Sequence, residues 1–194
     1  MSLKIGGKGL EIKYIATLRG KTGDPTEPAF QVPRGVGAFL VAGVWMIWKT
    51  GLGNVNEISL DSEIGARRFY EAVGFESRGL SGYVLKAPKG YLLKAILIMA
   101  NNCRDLRKSV IDEIGTVVGK QTKLLRKRAK NEKEQSARSV VIASIKECLK
   151  SETHPEFARA AISMLSKYKK KIPESEELIR FASEQGSGNA KAPP

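Results

Sequence analysis

The stretch Arg34-Gly35-Val36-Gly37-Ala38-Phe39-Leu40-Val41 is a glycine-rich turn that runs into an apolar helix. Glycines at 35 and 37 let the backbone turn tightly and come close to a ligand. The first amides of a helix have no intrahelical partner and carry partial positive charge, so a diphosphate suits this place. A second set of residues also points to phosphate. Lys120, Lys123, Arg126, Lys127, Arg128, Lys130 and Lys133 follow one another with no acid before Glu132. On a helix, Lys123, Lys127 and Lys130 share one face. They would meet nucleic-acid phosphates or an acidic partner, and the binding would be salt-dependent. The alternative is an ordinary solvated basic face. His154 is the sole histidine, so no histidine triad or histidine metal site can be assembled. Cys103 and Cys148 stand in no metal-ligand spacing, and reduced cytoplasmic thiols with no bound metal are expected.

Residues 55–60 alternate in the manner of a strand, and Ala66-Arg67-Arg68-Phe69-Tyr70-Glu71-Ala72-Val73-Gly74-Phe75 follows. The decamer predicts a helix with Ala66, Phe69, Ala72 and Val73 facing a core, closed by Gly-Phe turning into another strand. Residues 10–17 form an earlier strand, with Leu10, Ile12, Tyr14 and Ala16 alternating against Glu11, Lys13, Ile15 and Thr17.

The pattern A-x-x-F-Y-x-x-x-G-F around Tyr70 resembles the last motif of the GNAT superfamily of acetyl-CoA-dependent N-acetyltransferases. The turn at Gly35 and Gly37 is similar to that superfamily's pyrophosphate loop, although Val32 stands where a Gln or Arg is usual. The resemblance covers about residues 10–86, the cofactor-binding half of that fold. It implies acetyl-CoA as cosubstrate and an amine as acceptor. It implies that Tyr70 protonates the departing thiolate. Ile15, Ala16 and Thr17 would orient the acetyl arm, and Arg34, Gly35, Val36, Gly37 and Ala38 would hold the pyrophosphate. The GNAT fold normally has further strands and helices before this point, and only nine residues precede Leu10. The expectation is a fragment, a homodimer completing the sheet, a sheet edge supplied by residues 1–9 or 18–33, or a relative without catalysis. In the last case the molecule would be a non-catalytic scaffold whose basic helices bind nucleic acid or a protein partner.

The chain has 194 residues, 42% of them hydrophobic, and a net charge of +13. Net charge is +3 up to Ala87 and +10 from Pro88 onward. Glycine thins out after Pro88-Lys89-Gly90 and helical periodicity takes over. The fold class expected is α+β: a partial GNAT-like α/β sheet unit over 1–87, an all-helical basic bundle over 88–186 and a disordered tail over 187–194. Five helices are predicted in the second part. They cover 91–103, an amphipathic run over 105–130, a third marked by Ala137, Val140, Val141, Ile145, Cys148 and Leu149, a fourth opened by Pro155, and a last opened by Pro173. The longest apolar run, 91–100, is too short to span a bilayer and is broken by Lys94.

Overall fold

A computed structural model of the chain describes residues 2–6, 9–14, 35–51 and 57–188. Strand β2 (Gly9–Tyr14) buries Leu10 and Ile12 and turns Glu11 and Lys13 the other way. Strand β3 (Glu57–Asp61) does the same with Ile58 and Leu60. The two run parallel, with Leu10 opposite Ile58 and Ile12 opposite Leu60. Parallel neighbours need a crossover, and helix α1 (Val36–Gly51) lies within it. After β3 a short 3-10 turn (Ile64–Ala66) leads into α2 (Arg67–Val73). Strands β4 (Phe75–Arg78) and β5 (Gly82–Leu85) then form an antiparallel hairpin. Strand β5 enters between β3 and β4, antiparallel to both. On the far side of β2, β1 (Ser2–Gly6) pairs antiparallel, so the sheet order is β1-β2-β3-β5-β4. Of the arrangements expected for this edge, the one in which residues 1–9 supply the strand is present.

Helix α2 differs from its expected packing. Tyr70 and Val73 are its buried residues, Phe69 is half-buried and Ala72 is exposed. Positions 66, 70 and 73 fall on one stripe of so short a helix, and 72 falls off it. Gly74 ends α2 in the left-handed region at φ 112°, and a Cβ there would lie 2.0 Å from the Ala87 carbonyl oxygen. Only glycine fits this stop.

Five helices follow Pro88, as the periodicity predicts: α3 (Gly90–Asn101), α4 (Lys108–Gln121), α5 (Glu132–Leu149), α6 (Pro155–Lys167) and α7 (Ser175–Gly188). Together with the sheet they make an α+β molecule with an all-helical second part. The helix expected over 105–130 is the main correction. It ends at Gln121, tightens into a 3-10 turn at Leu124–Arg126 and becomes extended at Lys127 (φ −106°, ψ 141°). Two forces oppose its continuation. Like charges three and four residues apart on a helix repel. The carbonyls of Leu125 and Lys127, which a longer helix would use internally, instead accept hydrogen bonds from Arg138 Nη1 at 3.0 and 2.7 Å. Helix α7 reaches Gly188, two residues into the segment expected as tail, and residues 189–194 lie outside those described.

Helix α3 has Leu92, Leu93, Ala95, Ile96, Leu97 and Ala100 buried. It packs on α1 at one side and on α5 at the other. One continuous apolar core therefore runs from Leu10 and Ile58 of the sheet, through Trp45 and Leu97, to Phe157 and Leu178 of the last helices.

Candidate functional site

The carboxyl ends of the parallel strands β2 and β3 lie at the same end of the sheet. Helix α2 begins there, shortly after β3 ends at Asp61, and the first turn of α1 lies against it, since the Cβ position of Gly37 meets Phe69. Ligands of open α/β sheets bind outside the carboxyl ends of such strands. Gly35 sits at the entry to α1 with φ 99°, exposed, and among the described residues nothing lies within 4 Å of the place a Cβ would take. The first bond of α1 runs from the Phe39 amide to the Gly35 carbonyl at 3.1 Å. The amides of Val36, Gly37 and Ala38 precede it and have no helical acceptor. Val36 and Gly37 are half-buried and Ala38 is buried. Ile15, Ala16, Thr17 and Arg34 lie outside the described residues.

Gly37 touches the other motif. A Cβ at this position would stand 3.0 Å from Phe69 Cζ, so the missing side chain leaves room for the Phe69 ring. Phe69 meets Tyr70 edge-on with ring centroids 5.1 Å apart. The glycine turn and the Phe-Tyr pair, more than thirty residues apart in sequence, are thus joined through one ring.

Tyr70 is 9% exposed. Its ring also packs edge-on against Phe75 at 5.6 Å and lies 6.4 Å from Tyr83. Burial pushes its phenol above the ordinary value, and the negative charge of Glu63 adds to the shift. Such a phenol keeps its proton at neutral pH, as a proton donor must.

The basic residues form a second locus. Lys120, Lys123, Lys127, Arg128 and Lys130 are exposed, and Arg126 is half-buried. They line no common helix face, because the helix ends before most of them. A groove of about 530 Å³ opens beside Lys123, Lys127, Arg128 and Lys130.

Arg138, missed in the sequence, holds this region together with Glu174. Arg138 is 6% exposed. Its Nε donates to Glu174 Oε1 at 2.9 Å and its Nη2 to Oε2 at 2.5 Å. Burial pushes the Glu174 carboxyl up, but the hydrogen bonds and charge of Arg138 outweigh it and hold the carboxyl below its ordinary value. The signal was there to read, since Arg138 continues the stripe of Val141 and Ile145. His154 is structural: its Nε2 donates to the Cys103 carbonyl at 2.5 Å, tying α6 to the end of α3. Burial pushes the Cys148 thiol up to about 12. Among the described residues no group of three or more His, Cys, Asp and Glu could hold a metal ion, and no helix is long and apolar enough to cross a membrane.

The chain matches no protein-family model, no curated protein and no solved structure.

Proposed function

We propose that the sheet unit binds acetyl-CoA and transfers its acetyl group to an amine, in the manner of the GNAT superfamily. The observation that carries this reading is the meeting of Gly37 with Phe69, beside Tyr70, at the carboxyl end of the parallel β2/β3 pair. The glycine turn fits a diphosphate: no described residue lies within 4 Å of the Cβ position of Gly35, and three amides stand without helical acceptors. Those of Val36, Gly37 and Ala38 would hold the pyrophosphate. Tyr70 would give its phenolic proton to the thioester sulfur as the C–S bond breaks and the amine nitrogen bonds to the carbonyl carbon. The proton shed by the nitrogen passes to solvent, and solvent returns one to Tyr70.

Calorimetry with CoA tests the binding. Val36→Glu places a carboxylate in the first turn of α1, where the helix tolerates it and a diphosphate does not. Wild-type protein should bind CoA and the folded variant should not. Tyr70→Phe should lower turnover about 10²-fold with CoA affinity nearly unchanged. A folded wild-type chain with no affinity for CoA rejects the proposal.

The burial of Tyr70 among Phe69, Phe75 and Tyr83 favours a second reading, a scaffold without catalysis. In that case Tyr70→Phe changes stability, and no amine is acetylated.

A further inference from the structure

Two basic clusters far apart in the sequence converge in space. The first is the segment from Lys123 to Lys130. The second is Lys167 and Lys169 to Lys171, at and beyond the end of α6. They meet where the Arg126 guanidinium carbon lies 3.5 Å from the centroid of the Tyr168 ring. Arg126 Nε is buried there with no hydrogen-bond partner among the described residues. Lys123, Lys127, Arg128 and Lys130 have no ion-pair partner among the described residues. Three of the acids nearby have partners. Glu174 holds Arg138, Glu176 pairs with Lys169 at 3.2 Å, and Glu134 accepts the Lys130 amide at 2.7 Å. Among the described residues that line the groove Glu134 is the one acid, against Lys123, Lys127, Arg128, Lys130 and Arg138, so a net positive charge remains although Arg138 is paired with Glu174.

We propose that this groove and the adjoining end of α6 bind single-stranded nucleic acid through its phosphates, independently of the acetyl-CoA reading. Strands of this kind are held by cationic grooves that follow the backbone. The segment after Arg126 is extended where it begins, at Lys127. Lys123, Lys127, Arg128 and Lys130 all line the one groove, so a single phosphate backbone lying in it can meet several cations. A duplex is normally read by an element that projects into its groove, whereas these side chains line a hollow. Of the apolar side chains lining the groove, Leu124, Ala129 and Ala137, only Leu124 is large, and it is 51% exposed; one such side chain offers an unstacked base an apolar surface but does not make the row of anchor pockets that a bound peptide fills.

The experiment is fluorescence anisotropy on the full chain with a labelled oligouridylate of about 12 nucleotides. A duplex of equal length and polyglutamate serve as competitors. The expected result is binding at low salt, with log K falling against log[salt] at about −0.7 per phosphate engaged. The triple variant Lys123→Glu, Lys127→Glu, Lys130→Glu should lose at least about tenfold in affinity and show a shallower slope. Arg78→Glu with Lys86→Glu, charge changes on the sheet hairpin, should bind as wild type does. Circular dichroism confirms that each variant is folded. No binding at low salt overturns the proposal, as does full affinity in the triple variant. Stronger competition by duplex or polyglutamate than by unlabelled strand overturns it too.

Discussion

Arg138 shows how much of the local structure one side chain can determine. Its guanidinium carries four hydrogen bonds, two to Glu174 and two to the carbonyls of Leu125 and Lys127. Arg138→Ala leaves a carboxylate and two carbonyls short of a donor, and removing one partner of a buried pair costs about 3–5 kcal/mol. Urea denaturation should show a midpoint lowered accordingly, and a loss under 1 kcal/mol (roughly the worth of a surface pair) would mean the bridge is loose. The sign of the pH dependence follows from Glu174. Its carboxyl is held below the ordinary glutamate value of about 4.3. The stabilisation is therefore fully present above that value and is lost as pH falls through the lower folded value. Wild-type stability should drop in that acid window, and Arg138→Ala should flatten this part of the profile.

At the scale of elements, the turns govern. Gly74 stops α2 and sends the chain into β4, and the Gly-Phe pair announced this from the sequence. Gly74→Ala forces a side chain into the left-handed region and against the Ala87 carbonyl. A loss on the order of 3 kcal/mol is expected, read as a fall in melting temperature. An unchanged melting temperature would show that the 74–87 contact is dispensable. Strands β2 and β3 and helices α3, α5 and α6 were legible because their apolar periodicity is strong and their caps are local. The Asn131 carboxamide, for example, accepts the Glu134 amide at 2.9 Å to start α5. The end of α4 was not legible. It is set by Arg138, whose partners lie 11, 13 and 36 residues away, and no window of helical periodicity contains them. The candidate site was half legible. Its glycine turn and tyrosine could be read, but the burial of Tyr70 could not, because that depends on Phe75 and Tyr83 from the hairpin.

For the whole molecule, α3 is the shared layer. It covers the sheet unit through α1 and α2 and the helical part through α5. Heating should therefore give one calorimetric transition, with calorimetric and van't Hoff enthalpies equal. Two resolved transitions would show that the parts melt separately. Helix α3 also lies downstream of every strand it helps to cover. A ribosome adds roughly 5–20 residues per second. The 64 residues from Lys86 to the end of α5 at Leu149 thus take roughly 3–13 seconds to appear. During that interval the finished strands have left the exit tunnel, and the α3–α5 layer that closes over their side of the core has not. The nascent chain thus spends seconds with Leu10, Ile12, Ile58 and Leu60 partly bare, a period in which a holding chaperone would find a binding site that the mature protein no longer offers.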